Sequence, residues 1–212
     1  MWYNDGMDGQ EYLNQISAQN RPVKSSGVSS ILSSKFFLLG VIGVVLIIFV
    51  LIIGVVLSGG KGGEKNLSIA LKLHLDNTTA IIEDYQKIVK SSELRSSSAS
   101  LYSILTSTNS ELTDYINAKY SSKEKDPDKK IVNNAQMARD ELENDLFKAK
   151  IGGTLDRTYA LKMAYEISLI QSEELKIMNI SKSDDLKGIL TKSYDSLKNL
   201  YGKFNDFSEA NK

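Results

Sequence analysis

The sequence predicts an all-α protein: one transmembrane helix followed by an antiparallel up-and-down bundle of about five helices. Three observations lead there. Phe36 to Leu57 reads FFLLGVIGVVLIIFVLIIGVVL, 22 residues without a charge or a strong polar group. Residues 65–212 contain a single Pro and four Gly, too few breakers for anything but long helices. Within them, apolar positions recur at alternating spacings of three and four, the signature of one buried stripe per helix. The mean hydropathy of −0.21 averages over these unlike parts and describes neither.

Residues 1–35 read as a disordered polar tail with a short docking helix. They are rich in Asn, Asp, Gln, Gly and Ser, carry three acids and three bases, and end in a Ser-rich linker. Such a composition cannot bury enough apolar surface to fold alone. The exceptions are Trp2, Tyr3 and the stretch Glu11-Tyr12-Leu13-Asn14-Gln15-Ile16, where Tyr12, Leu13 and Ile16 fall on one side of a short helix. These five side chains, Trp2, Tyr3, Tyr12, Leu13 and Ile16, are the candidate docking residues for a protein partner.

Residues 36–57 follow as the transmembrane helix. At about 1.5 Å per residue the run is roughly 33 Å long, a match to a hydrocarbon core of about 30 Å. A cleaved signal peptide has a shorter apolar core, and here 35 residues precede it. No Cys is present for lipidation, and the Gly and Glu that mark a type IV pilin are missing around Ser34 to Gly40. The segment is expected to be a retained anchor in the lipid bilayer. Gly43 and Gly54, eleven residues apart, share a face that leaves homo-oligomerisation open, although no GxxxG spacing occurs.

Orientation rests on the Lys/Arg bias, which ties: Arg21, Lys24 and Lys35 on one side, Lys61, Lys65 and Lys72 on the other. Lys35 abuts the apolar run, whereas Ser58-Gly59-Gly60 separates Lys61 from it. The reading adopted is a cytoplasmic N-terminus and an extracytoplasmic C-terminal domain in the cell membrane.

From Tyr12-Leu13-Asn14-Gln15-Ile16, through Arg21-Pro22, to the single span, the chain resembles uncharacterised single-pass membrane proteins of Saccharibacteria and related candidate-phyla bacteria. The resemblance covers roughly residues 12 to 58 and implies an inner-membrane anchor in a small-genome, host-attached bacterium. The flank departs from that pattern in being Ser-rich rather than Lys-rich. No functional residue comes with the resemblance.

Residues 58–64 form a Gly-rich hinge, and residues 65–212 the bundle. Leu67, Leu71, His74, Thr78, Ile81, Tyr85 and Ile88 line the first helix. Leu94, Ser98, Leu101, Leu105, Thr108, Leu112 and Tyr115 line the second, and the Ser-rich stretch from Ser91 to Ser100 is read as the break between the two. Asp126-Pro127-Asp128 opens a third helix marked by Ile131, Ala135, Ala138, Leu142, Leu146 and Ala149. Ile151-Gly152-Gly153-Thr154 closes it and offers Thr154 as the next N-cap. The fourth helix, carrying Ala160, Met163, Ala164, Ile167, Ile170, Ile177 and Met178, is the most apolar. Ser183, with Asp184 and Asp185 in the first turn, caps a fifth through Leu186, Leu190, Ser193, Leu197, Leu200, Phe204 and Phe207.

Composition excludes several activities. The 26 basic and 26 acidic residues balance, and they balance again within the tail and the bundle, so no basic face awaits a nucleic acid. Zero Cys removes disulfides, thiolate metal sites and cysteine nucleophiles. His74 is the only imidazole and lies on the first seam, without an acid beside it on that stripe. A hydrogen-bonded core histidine is expected, not a metal ligand or a catalytic base. His74, Thr78 and Thr108 form the candidate polar seam, with Ser98 and Ser193 as further polar seam positions. Glu173-Glu174 reads as a solvated face. Asn66, Asn77 and Asn179 start glycosylation-type triplets, which carry little weight in an Asn- and Ser-rich chain. No cofactor and no metal are expected, and the chain is read as non-catalytic.

Two functions remain. The first is display: a non-catalytic scaffold for protein–protein or cell-envelope contact, with Tyr120, Tyr159 or Tyr201 in an exposed patch. The second is a ligand-sensing extracytoplasmic domain, similar to chemoreceptor helical bundles. Those receptors carry a second span and a signalling module, and none is expected after Phe207, so a sensor would signal through a partner.

Overall fold

A computed structural model describes residues 63–120 and 127–211. The predicted transmembrane run Phe36 to Leu57 and the docking residues Trp2, Tyr3, Tyr12, Leu13 and Ile16 lie outside them. Among the described residues, no helix is long and apolar enough to cross a membrane.

Five helices and no strand make up the described chain: α1 (Gly63–Tyr85), α2 (Ser92–Lys119), α3 (Lys129–Ile151), α4 (Leu155–Ile180) and α5 (Asp184–Ala210). They run alternately up and down. Glu64 meets Tyr115 and Lys119, which sets α1 antiparallel to α2. Contacts of Lys90 with Asp156 and of His74 with Glu166 and Glu173 set α1 antiparallel to α4.

The five rods are not equivalent. α1, α2, α5 and α4 close a ring in which each packs on the next, and α4 and α5 form its tightest pair. α3 lies outside that ring, over the groove between α1 and α4 and parallel to α1. Asn77 donates to the Ala135 carbonyl and Tyr85 to that of Glu143, eight residues further along both helices. Its placement follows from its seam. Leu142, Leu146 and Ala149 are buried, but Ile131 and Ala135 are half-buried and Ala138 is exposed. Small residues at the N-terminal half bring too little apolar area to hold a fourth side of the core.

Elsewhere the periodic stripes are the core. Leu71, Leu75, Ile81, Leu101, Leu105, Leu112, Leu146, Met163, Ile167, Ile170, Leu190, Leu197 and Phe204 are fully enclosed. Tyr159 packs edge-on to Phe204, with ring centroids 6.3 Å apart. That burial overturns the expectation of Tyr159 in an exposed patch.

The break between α1 and α2 lies earlier than the Ser-rich stretch suggests. Gln86 to Ser91 make the turn, which leaves Ile88 outside the helix and exposed. Arg95 closes the turn by donating to the Val89 and Lys90 carbonyls, each at 3.0 Å. Ser91 is the N-cap, accepting from the Leu94 amide, so Ser92 to Ser100 are helical. Ser98 and Ser100 survive there by bonding back to the carbonyls four residues earlier. α1 likewise begins at Gly63, two residues inside the stretch read as hinge.

Asp128 caps α3 and Ser183 caps α5, as the sequence suggests. Thr154 occupies the N-cap position of α4 but makes no side-chain cap. Its amide instead completes the end of α3, bonding to the Ala149 carbonyl while Gly153 bonds to that of Lys150. This is a Schellman closure, with Gly153 at φ +73° in the left-handed region. Nothing crowds a Cβ at Gly153, so only the backbone strain counts. Gly153→Ala is therefore expected to cost about 1 kcal/mol in chemical denaturation. An unchanged midpoint would show that the turn relaxes to another conformation.

Candidate functional site

Two polar groupings interrupt the apolar core, and both involve one stretch of α4. Glu166 and Glu173 are seven residues apart and so project from one face of α4, two turns apart. α1 crosses that face with His74. The ring Nε2 lies 2.8 Å from Glu166 Oε2, and Nδ1 lies 2.9 Å from Glu173 Oε2. The His74 side chain is 18% exposed and each carboxylate 13%. Because carboxylates accept only, both ring nitrogens donate together only in the imidazolium. Burial by itself lowers the pKa of His74. The charge of Glu173 and the hydrogen bonds from Glu166 and Glu173 outweigh it and hold the group well above its ordinary value. His74 is thus a charged clamp between α1 and α4 rather than a histidine without acids. The two acids come from a remote part of the chain.

Glu174 is one residue on, rotated into the ring of four helices. It is completely enclosed, and neither carboxylate oxygen has a hydrogen-bond partner. Burial pushes its pKa up to about 8; the nearby Ser193 hydroxyl eases the shift and the charge of Glu173 adds to it. Glu174 is therefore protonated at neutral pH. These two positions correct the reading of Glu173-Glu174 as a solvated face: one is bonded to His74 and the other is in the core.

Ser193 is 3% exposed, and its Oγ makes no hydrogen bond either. It stands between Glu174 and a groove that opens between α2 and α5. The groove has a volume of about 210 Å³ and is walled by Thr108, Ser103, Ser107, Ser196, Ile104 and Ile189 besides Ser193. Lys192 and Glu111 face each other at its rim, 3.0 Å apart.

The predicted polar seam is therefore divided. His74 joins the glutamates of α4, Thr108 walls the groove, and Thr78 is buried in α1 apart from both. Ser98, another seam position, is fully bonded: it accepts from Tyr159 at 2.9 Å and donates to the Leu94 carbonyl. At the start of α1, Glu64 gathers Lys119 at 2.6 Å, Tyr115 at 2.9 Å and Tyr120 at 3.1 Å. Burial opposes ionisation there, yet the donors, Lys119 foremost, hold the Glu64 carboxyl below its usual value. Tyr120 is committed to that clamp, and Tyr201 is exposed on α5.

Apolar side chains also reach the surface. Val132, Met137, Phe147 and Ile151 of α3 are exposed, and Phe147 and Ile151 lie one turn apart, turned away from Leu142 and Ala149. Met137, Phe147 and Ile151 are 69%, 54% and 73% exposed. Among the described residues, no group of three His, Cys, Asp or Glu side chains is placed to hold a metal ion. Compared with known proteins, the chain matches no family model, no curated protein and no solved structure.

Proposed function

We propose that this chain is a single-pass membrane protein whose helical bundle displays a protein-binding surface, with no catalytic role. One observation carries the reading: α3 stands outside the four-helix ring and turns Val132, Met137, Phe147 and Ile151 to solvent. Scattered exposed apolar residues are ordinary, but Phe147 and Ile151, one turn apart on α3 and 54% and 73% exposed, offer a place for a partner. The 22-residue apolar run and the resemblance of residues 12 to 58 to single-pass proteins of candidate-phyla bacteria support the anchor. The partner sought is a protein, not a nucleic acid, because the charges balance along the chain.

A photo-crosslinking residue at position 147, placed in the native membrane, is expected to capture a protein. Phe147→Glu with Ile151→Glu is expected to abolish capture by a crosslinker at position 137 while leaving the melting temperature within about 2 °C, since both side chains are already exposed. Recovery of no partner overturns the display reading. Cysteine labelling at positions 10 and 125 in intact cells reads the topology; reagent reaching 10 but not 125 reverses the orientation adopted above.

A ligand-sensing domain is the second reading. The hydroxyl-walled groove between α2 and α5 favours it.

A further inference from the structure

We propose that the outward face of α3 is the interface between two copies of this chain, which pack their α3 helices parallel and in register. This rests on the reading of α3 as a protein-binding surface and identifies the protein it binds.

Asn133, Met137, Asp140, Asn144, Phe147 and Ile151 follow one another at spacings of 4-3-4-3-4, and all six are exposed. At 100° per residue they fall within about 80° of arc, on the opposite side of the helix from Leu142, Leu146 and Ala149. An alternation of three and four is the pattern of a helix-packing seam. α3 therefore carries two seams. One meets α1 and α4 through the buried residues, and the other faces solvent.

The residues on and beside the outer seam fit a second copy of α3. In a parallel pair in register, each seam residue meets its own counterpart. Met137, Phe147 and Ile151 then pack apolar on apolar. Asn144 meets Asn144, a polar rung of the kind that fixes register and direction in paired helices. Each seam is flanked by Glu143 on one side and Lys148 on the other, five residues apart, the offset at which charges face each other across parallel helices. Glu143 of each copy thus meets Lys148 of the other. Both side chains are exposed, and neither is in an ion pair among the described residues. Antiparallel packing would set Ile151 against Asp140 and Phe147 against Asn144. It would gain exposed ion pairs through Lys150, which contribute little against the burial of a Phe and an Ile. One rung opposes the parallel pair, because Asp140 meets Asp140. Each accepts from its own Gln136 at 2.7 Å, which eases the repulsion without removing it.

Disulfide capture with the full chain in detergent tests this, since the sequence has no Cys of its own. Ile151→Cys is expected to yield a linked dimer on mild oxidation, because a parallel rung brings the two Cα atoms within the roughly 4.4 to 6.8 Å that a disulfide spans. Ala138→Cys, exposed but away from this seam, is expected to stay monomeric. Adding Glu143→Lys to Ile151→Cys should slow capture about tenfold, as two attractions become two repulsions. Adding Lys148→Glu as well should restore it, and Asp140→Leu in place of both should speed it. No linkage at 151, or linkage equal at 138 and 151, overturns the proposal. So does a double charge reversal that is worse than the single one, the result expected of antiparallel packing. If self-linkage fails while the crosslinker at position 147 captures a different protein, only the self-pairing falls. If position 147 captures nothing, the binding surface falls with it.

Discussion

Glu174→Met is expected to raise the stability of the bundle by about 3 kcal/mol at pH 7 and to remove most of its pH dependence between pH 5 and 8. The carboxyl is fully enclosed and has no partner, so its charged form is disfavoured and its pKa sits at about 8 instead of 4.5. In the unfolded chain the same group ionises near 4.5. Between those values the folded state holds a proton that the unfolded state releases. The sign follows: stability is highest below pH 4.5, falls by about 1.4 kcal/mol per pH unit as the pH rises, and levels off above about 8. By pH 7 the accumulated loss is about 3 kcal/mol. Methionine has a similar length and shape and no charge, so it fills the space without that cost. Chemical denaturation of both proteins at pH 5 and pH 8 is the check. A stability gap that is the same at both pH values would mean that Glu174 reaches water.

Glu174 was legible in the sequence, because Ala160, Met163, Ile167, Ile170, Glu174 and Ile177 continue one alternation of three and four through the acid. Pairing it with its neighbour as Glu173-Glu174 suggested a surface, yet successive residues on a helix point about 100° apart. One of two adjacent acids can sit at the edge of the core, 13% exposed and bonded to His74, while the other is enclosed. The seams of α1, α2, α4 and α5 were readable for the same reason, since a stripe of Leu and Ile has only one way to leave water. What periodicity does not reveal is which stripe meets which. His74 lies 92 and 99 residues from its two partners, and nothing in the order of residues pairs α1 with α4. The sevenfold spacing of Glu166 and Glu173 was a signal, but one that needs a known neighbour to be used. Placement of α3 was half legible. Its Ala135 and Ala138 are poor in apolar area, and that half of the helix proves shallow. The Ser-rich start of α2 misled because serine favours caps and turns only when nothing larger decides. Leu94 and Leu101, both buried, decide there.

His74→Leu is expected to destabilise the bundle by about 3 kcal/mol at pH 6, and to cost less as the pH rises. Removing the imidazolium leaves Glu166 and Glu173 facing the same gap between α1 and α4, two carboxylates largely shielded from water with no cation between them. Breaking a buried pair from one side is costly because the remaining charge stays desolvated. Here two remain, although their residual exposure of 13% tempers the effect. The pH trend comes from the histidine. Its folded pKa is raised above 6.5, so its contribution is complete below about pH 6.5 and is lost as the pH climbs through the folded value. Wild type should therefore lose stability above pH 6.5 from His74 in addition to the loss from Glu174, and His74→Leu should show only the latter. Replacing the whole cluster with His74→Leu, Glu166→Leu and Glu173→Met separates two explanations. If the clamp stabilises chiefly by avoiding stranded charge, the triple variant recovers wild-type stability or exceeds it. If it also fixes the register of α1 against α4, the triple variant recovers its melting temperature while the Asn77 to Ala135 contact of α3, reported by amide exchange, becomes heterogeneous. A His74→Leu variant as stable as wild type at pH 6 would sink both, since it would mean that the two carboxylates need no cation between them.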